Sequence, residues 1–241
     1  MDDRTVLGAE EFTTFGADHL SMLALCVLGA VVVTVVGRRE RGSSGVPTFS
    51  RVLAVVVPVV TVPVQIYQQL PGELDVEKSL PLQLCDFAWI AATVALWALR
   101  PWAIGVTYFW GLTLTVQAIV TPDLGSTFPE PGFVMFWAMH IVIVWAAAYL
   151  TFGLGLGPTW REYRICVLVT LVWAIAVFVI NLAIGSNYGF LNRKPDDPSI
   201  LDLLGPWPLY LVFEIAIILG AWALLTWPWV VRARRRDTTP A

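Results

Sequence analysis

The stretch LSMLALCVLGAVVVTVVGRR, residues 20–39, decides the fold class of this chain. Its apolar run is long enough to cross the ~30 Å hydrocarbon core of a bilayer as a helix, and it ends in a pair of arginines. Similar runs recur along the 241 residues, of which 57% are hydrophobic and only 14% charged. Strands of a closed membrane barrel would alternate apolar and polar residues, and these runs do not alternate. We therefore predict an all-α, polytopic membrane protein.

Seven apolar segments have the length of a transmembrane helix, and they predict one transmembrane domain covering residues 1–241. The first segment does not look like a signal peptide, because its leader MDDRTVLGAEEFTTFGAD is acidic and no small-residue cleavage site follows the apolar run. The predicted spans are 18–36, 52–70, 80–99, 102–120, 132–152, 164–184 and 208–230.

Basic residues fall mainly in alternate loops, which predicts the orientation. Eleven of the fifteen Lys and Arg side chains lie on one side of the predicted spans: Arg38, Arg39, Arg41, Arg51, Arg100, Arg161, Arg164, Arg232, Arg234, Arg235 and Arg236. Such residues mark the cytoplasmic side, so we expect the N-terminus outside and the C-terminus in the cytoplasm of a multi-pass plasma-membrane protein. We expect no nucleic-acid partner.

Polar side chains within the predicted spans all fall in the outer half, given this orientation. Polar groups in hydrocarbon are costly and are therefore functional candidates. We predict a polar cavity, open to the outer leaflet or outer water, above an apolar plug. Structural roles are the alternative: the amides can be interhelical hydrogen-bonding groups, and the carboxyls can pair with each other or with Arg193. The candidates are Gln65, Gln68, Cys85, Asp86, Gln117, His140, Asn181 and Glu214.

Cys85 and His140 are the pair that could carry out a reaction, since both are predicted at similar depth on spans that run inward. A histidine within reach of a thiol can take its proton and make an activated nucleophile. Asp86 or Glu214 would orient the imidazole, as a third group does in catalytic triads. The other cysteines, Cys26 and Cys166, lie among aliphatic residues and read as small buried hydrophobes. No cysteine spacing indicates a metal site.

Four segments together resemble a known family: LPLQLCDFAWIAATVALW (80–97), the isolated His140, NYGFLNRKP (187–195) and SILDLLGPWPLY (199–210). The resemblance is to the bacterial YwaF-like integral membrane proteins, whose animal relative is transmembrane protein 164. The seven-helix core also resembles androgen-induced-gene-type lipid hydrolases. Relatives commonly carry His where this chain has Gln83, which leaves a second base at that position in doubt and keeps Gln83 as a supporting residue.

This resemblance implies a cysteine-dependent acyltransferase that moves a fatty acyl chain from a phospholipid to a lysophospholipid. Cys85 would be the nucleophile, carrying an acyl-cysteine intermediate, and His140 the base. No cofactor or metal is needed, because an ester donor already holds an activated acyl group. The alternative is a proton-coupled transporter or a lipid- or small-ligand-binding protein with Asp86, Glu214 and His140 as a relay. The odd number of spans and the lack of an inverted repeat fit a transporter poorly.

The remaining candidates are donors around the predicted cavity. An amide from Gln117, Asn181 or Asn187 would stabilise the oxyanion of acyl transfer, and Gln65 and Gln68 would line the cavity. On the outer side, Arg193 and Lys194 stand where a phosphate of the outer leaflet would lie, and Arg suits bidentate phosphate contacts. Their alternative role is that of interfacial anchors.

Overall fold

The computed structural model describes residues 12–77, 79–195 and 200–237, and these ranges contain helices and turns but no strand. The prediction of an all-α protein is therefore confirmed. Short 3₁₀ turns occur at Tyr188–Phe190 and Ile200–Leu204. The helices are α1 (Ala17–Arg39), α2 (Thr48–Gln68), α3 (Leu84–Ala98), α4 (Pro101–Val120), α5 (Pro131–Gly153), α6 (Trp160–Ile184) and α7 (Leu209–Asp237).

Six of these helices are long and apolar enough to cross a membrane, and α3 is the exception. It has 15 residues, which gives a length of about 22 Å at ~1.5 Å per residue. The sequence predicts a span that begins at residue 80, but residues 80–83 precede the helix as turn and extended backbone. Which end of the bundle faces the cytoplasm stays a prediction.

Local sequence explains where the helices begin and end. Pro101 and Pro131 stand in the first turns of α4 and α5, where a missing N–H costs nothing. Gly185 follows α6 with φ +78°, a left-handed conformation that stops a helix and that glycine adopts without strain. Both α4 and α5 contain a π-helical turn, at Trp110–Leu114 and Tyr149–Gly153 respectively.

The centre of the bundle is formed by α5 and α4, and α3 packs against them. Of the most apolar 18 residues, 78% are buried in α5 and 61% in α4, compared with 17% in α1, α6 and α7, so those three helices are peripheral. Helix α1 packs against the C-terminal end of α5, where a Cβ on Gly37 would lie 2.7 Å from the Cα atom of Gly153. Only two glycines allow the backbones to approach so closely at this crossing.

The two ends of the bundle differ in character. The basic end, formed by loops 40–47, 99–100 and 154–159, carries most of the arginines. There the Arg41 Nη2–H donates to the Phe152 carbonyl oxygen at 2.7 Å, so an arginine satisfies a carbonyl at the end of α5. The opposite end, called the α3 N-terminal end here, carries segments 69–77, 79–83, 121–130, 185–195 and 200–208 and most of the predicted polar residues.

Candidate functional site

The start of α3 is held by the side chain of Asp86, which lies directly after Cys85. Asp86 Oδ2 accepts the Gln83 backbone N–H at 2.8 Å, and Oδ1 accepts from Gln65 Nε2 at 2.9 Å. The first bond satisfies an N–H group at the helix N-terminus, and the second ties α3 to α2. Both carboxylate oxygens are therefore used within the network, which is a structural role for Asp86.

Gln83 connects this network to the NYGFLNRKP segment. Its Oε1 atom accepts the Gly189 backbone N–H at 3.0 Å. Beside it, the Trp173 indole N–H donates to the Leu82 carbonyl oxygen at 2.9 Å. The Gln83 side chain is thus a bridge between two segments more than 100 residues apart in the chain. The two motifs that carry the family resemblance are in direct contact at this point.

Tyr188 makes a second connection between the same two segments. Its hydroxyl accepts the Leu80 N–H at 2.9 Å and donates to the Val76 carbonyl oxygen at 2.7 Å. The side chain is fully buried, and burial raises the pKa of the Tyr188 hydroxyl above its ordinary value of 10.0. Tyr188 therefore fixes the segment before α3 by using both the donor and the acceptor capacity of one hydroxyl.

Asn181, a predicted oxyanion donor, folds the segment after α6. Its Oδ1 accepts from Ser186 Oγ at 2.7 Å and from the Tyr188 N–H at 2.9 Å, and its Nδ2 donates to the Tyr188 carbonyl oxygen at 2.9 Å and to Asn192 Oδ1 at 2.8 Å. Both amide hydrogens are used, so none is left for an oxyanion. This correction follows because the loop needs the same donors that the prediction assigned to a substrate.

The other predicted amide side chains are bonded within their own loop, exposed or half-buried. Asn187 Nδ2 donates to the Arg193 carbonyl oxygen at 2.9 Å, and its Oδ1 accepts two backbone N–H groups of the same loop. Gln117 is an exposed residue of α4, and Gln68 is half-buried near the end of α2. Two open cavities lie at the basic end, with volumes of about 80 and 310 Å³. A polar cavity at the α3 N-terminal end stays a prediction.

Arg193 and Lys194 both face acidic partners. Arg193 Nη2 lies 3.9 Å from Glu77 Oε2, with both side chains more than half exposed. Lys194 Nζ lies 3.2 Å from Asp202 Oδ1 and 5.9 Å from the centre of the Tyr210 ring. Exposed ion pairs of this kind contribute little stability, so an anion can compete for either cation. Contact with a lipid phosphate stays a prediction for both.

Cys85 occupies the second position of α3 and is half-buried. It packs against a buried cluster that includes Ala88, Met139 and Ile143. The other two cysteines differ, because Cys26 and Cys166 are 3% and 0% exposed. Of the three thiols, all free, only that of Cys85 therefore combines partial exposure with a position at the polar end of the bundle.

His140 is buried, and its orientation is set by its own helix. Its Nδ1 atom lies 2.7 Å from the Phe136 carbonyl oxygen. A carbonyl can only accept, so Nδ1 carries the proton and Nε2 holds the free lone pair. The Phe136 ring packs on the imidazole with 4.2 Å between ring centres. Phe136 therefore orients His140, where the sequence suggested Asp86 or Glu214.

Helix packing places Cys85 and His140 near the same end of the bundle. One buried cluster groups Ala88 and Ala91 of α3 with Met139 and Ile143 of α5. Cys85 precedes Ala88 by about one turn and His140 directly follows Met139, so the two residues lie within about one helical turn of each other in depth. Within the described ranges the thiol and the imidazole form no hydrogen bond with each other. Catalytic contacts often tighten only when substrate binds.

Glu214 lies on a different helix from Cys85 and His140 and, in the part of the chain that the structure describes, is not bonded to the predicted site residues. It is a half-buried residue of α7, between the exposed Phe213 and Ile215, and α7 is a peripheral helix. Across the described residues no hydrogen bond or ion pair links Glu214 to Asp86, His140 or Arg193. The ion pairs suggested by the sequence are thus replaced by the Gln65–Asp86–Gln83 network and by the Arg193–Glu77 pair. The same residues contain no group of three His, Cys, Asp or Glu side chains that could hold a metal ion.

Two features of the structure were missed by sequence reasoning. His19 is fully buried near the start of α1; its Nδ1 accepts the Phe15 N–H at 2.8 Å and its Nε2 lies 2.7 Å from the Ile119 carbonyl oxygen. Trp89, one turn after Cys85, has a buried indole N–H with no hydrogen-bond partner in the part of the chain described. An ionisable residue at the edge of the first span was the available signal for His19. Nothing in the sequence marks Trp89 among twelve tryptophans.

Comparison with known proteins gives a family and no closer relative. No curated protein and no solved structure matches the chain. The model of the TMEM164 family matches residues 14–226. This range includes every helix up to the middle of α7 and all of the residues that form the network around Cys85. The chain is therefore a multi-pass membrane protein that belongs to the TMEM164 family.

Proposed function

We propose that this protein is a membrane acyltransferase that moves a fatty acyl group between phospholipids through a thioester on Cys85. The observation that carries the proposal is the 2.7 Å contact between His140 Nδ1 and the Phe136 carbonyl oxygen. A carbonyl only accepts, so the contact assigns the proton to Nδ1 and leaves the Nε2 lone pair for a general base. His140 lies on a helix that packs against α3, within about one turn of the level of Cys85.

The reaction is written in two balanced steps. Cys85 Sγ attacks the acyl carbonyl carbon of a phospholipid ester as His140 Nε2 takes the thiol proton. The ester C–O bond then breaks, His140 returns the proton to the leaving hydroxyl oxygen, and a lysophospholipid departs. In the second step the hydroxyl oxygen of an acceptor lysophospholipid attacks the thioester carbon as His140 takes its proton. The C–S bond then breaks, and His140 returns the proton to Cys85 Sγ, which regenerates the thiol. The ester supplies the activated acyl group, so the steps use no cofactor.

The surroundings of the site support a lipid substrate. The outer faces of the peripheral helices are apolar, with exposed side chains such as Leu168, Val172 and Leu182 on α6, and such faces are solvated by lipid. Cys85 lies in the first turn of α3, where an ester group at the boundary between acyl chains and headgroups can reach it. The positive-inside orientation would place this end at the outer leaflet of the plasma membrane.

The transporter alternative receives no support from the arrangement of ionisable groups. A proton relay needs side chains in hydrogen-bonded sequence, but Asp86 bonds to Gln65 and Gln83 while His140 bonds to Phe136. Among the described residues these two groups and Glu214 share no hydrogen bond. We therefore propose the enzyme alone, and leave binding without chemistry as an outcome of the test.

The experiment is intact-mass measurement of the purified protein after incubation with defined phospholipids. The wild type is expected to gain an acyl-sized mass that hydroxylamine removes, as a thioester requires. Cys85→Ala should show no adduct while remaining folded, because a small residue is replaced by a smaller one. Cys166→Ala is the matched control, since it removes a thiol buried in the core and should acylate normally. His140→Ala should slow acylation by about 10²- to 10⁴-fold, the usual value of general base catalysis.

Two outcomes would contradict the proposal. One is a wild-type protein without adduct across a broad panel of phospholipids, which would favour a binding protein without catalysis. The other is an adduct that persists unchanged in Cys85→Ala, which would remove Cys85 from the mechanism.

A further inference from the structure

Four buried polar side-chain atoms have no hydrogen-bond partner within the described ranges: Trp89 Nε1, Thr107 Oγ1, Trp137 Nε1 and Thr151 Oγ1. Buried donors without acceptors are rare in folded proteins, and each asks for an explanation. The two hydroxyls can rotate and share weak local acceptors. The two indole N–H groups cannot, because the direction of each bond is fixed by the position of its ring.

Trp89 lies on the same face of α3 as Cys85. Residues four apart in a helix are separated by about 40° around the axis and about 6 Å along it. Aromatic side chains in helices lean back toward the helix N-terminus, and for Trp89 this direction leads toward the turn that holds Cys85. Helical geometry therefore places a large side chain with one strong donor directly below the proposed nucleophile.

Packing places the Trp89 side chain between the two central clusters. These clusters contain Met139 and Val142, which stand on either side of His140 along α5. The nucleophile, the base and the unpaired indole N–H thus lie on α3 and α5 within about one helical turn of each other in depth.

We propose that the indole N–H of Trp89 is the oxyanion donor for acyl transfer at Cys85, which rests on the function proposed above. When Cys85 Sγ bonds to the ester carbonyl carbon, the carbonyl π electrons move to its oxygen, and Trp89 donates a hydrogen bond to that oxygen. When the intermediate collapses, the electrons return, the ester C–O bond breaks, and the oxygen becomes that of the thioester carbonyl. The unpaired donor of the free protein is then explained as a group kept ready for a substrate oxygen.

The amide side chains do not compete for this role. Asn181 donates both of its amide hydrogens to the loop after α6, and Gln117 is exposed on α4. A preorganised donor in a site without water is the arrangement that stabilises an oxyanion best. Trp89 meets both conditions, since its N–H is buried and forms no bond that would have to break.

The test compares Trp89→Phe with Trp137→Phe, because both remove a buried, unpaired indole N–H and keep an aromatic ring. Trp137 is a residue of α5, and its ring centre lies 5.5 Å from that of His19. Trp89→Phe should slow acylation of Cys85 by a phospholipid by about 10²-fold or more, the usual loss when one oxyanion donor is removed. Trp137→Phe should acylate at the wild-type rate.

A second measurement separates catalysis from damage to the site. Alkylation of Cys85 by iodoacetamide requires an accessible thiol but forms no oxyanion. Trp89→Phe should therefore react with iodoacetamide at the wild-type rate while losing ester acylation, whereas a disturbed fold would slow both reactions. In the wild type, an ester whose carbonyl oxygen is replaced by sulfur should acylate more slowly, since sulfur is a weak acceptor. That measurement holds even where Trp89→Phe does not fold.

The outcomes distinguish this inference from the function on which it rests. Normal acylation of Trp89→Phe, with Cys85→Ala silent, would overturn the role of Trp89 and leave the acyltransferase proposal intact. Unchanged acylation by the sulfur-containing ester would also overturn it, and this measurement decides if Trp89→Phe loses acylation and alkylation equally. Absence of an adduct in the wild type would remove both proposals together.

Discussion

Replacing Asn181 with Leu should destabilise the protein by at least about 2 kcal/mol. The side chain is 2% exposed and makes four hydrogen bonds, two of them to the backbone N–H and carbonyl of the fully buried Tyr188. Leucine has a similar volume, so the change removes the bonds without opening a cavity. The two backbone groups of Tyr188 would then be buried without these partners.

The magnitude follows from these partners. Leaving a buried donor or acceptor unpaired costs about 1–3 kcal/mol each, which gives about 2–6 kcal/mol for the two Tyr188 groups. Hydrogen bonds in membrane proteins average about 0.6 kcal/mol, and at that value the four bonds contribute about 2.4 kcal/mol. The lower end of the first range agrees with the second figure on about 2 kcal/mol. The loss of stability should therefore be measurable whichever value applies.

The assay is reversible unfolding in mixed micelles of increasing SDS content, followed by tryptophan fluorescence. Asn187→Leu is the control: it removes an amide from the same loop, but two of its three bonds are exposed, so water can replace them and the loss should be smaller. A change in unfolding free energy below about 1 kcal/mol for Asn181→Leu, or one no larger than that of Asn187→Leu, would refute the reasoning.

Two further predictions concern Tyr188 and Gly37. Burial raises the pKa of the Tyr188 hydroxyl above 10.0, so its stabilising effect should be complete below pH ~10, the value of the unfolded chain, and should be lost as the pH rises through the folded-state pKa. Tyr188→Phe should lower stability at neutral pH by about 1–3 kcal/mol, because it leaves the Leu80 N–H and the Val76 carbonyl unpaired. In the same unfolding assay it should also reduce the loss of stability at alkaline pH. An unchanged loss of stability at alkaline pH would contradict the assignment of that loss to Tyr188. Gly37→Ala should destabilise by about 1–3 kcal/mol, because its Cβ would lie 2.7 Å from the backbone of α5. Gly220→Ala, where a new Cβ meets nothing within 4 Å, should be neutral or stabilising by up to ~1 kcal/mol, and equal effects at the two positions would exclude the close helix crossing.

The fold could largely be predicted from the sequence because bilayer-spanning helices are specified locally. A run such as residues 20–36 must pair its own backbone groups within one segment, so length and hydropathy suffice to identify it. The same locality explains the starts of α4 and α5 at Pro101 and Pro131. Helix α3 was the exception, since residues 80–83 are apolar enough to extend the span but lie outside the helix, where they contact Tyr188 of a distant loop and Trp173 of α6.

The candidate site could be predicted only in part. Polar residues in apolar runs stand out in a sequence, and so Cys85, His140, Asp86 and Asn181 were all identified as unusual. Their partners were not, because a side-chain hydrogen bond depends on which helices are neighbours and at what register. The sequence therefore suggested that Asp86 or Glu214 orients His140, whereas the carbonyl of Phe136, one turn earlier in the same helix, takes that role.

By itself, the sequence determined that this chain is a helical membrane protein, and it singled out Cys85 and His140 as a candidate pair. Only the tertiary structure decided which polar groups form hydrogen bonds within the fold and which remain without a partner. Asn181 and Gln83 are used to fasten the loop after α6 onto the start of α3, and the Trp89 indole N–H is left without a partner. The physical reason is that hydropathy acts along the chain within one segment, while hydrogen-bond pairing is settled between segments that meet only after the helices have packed.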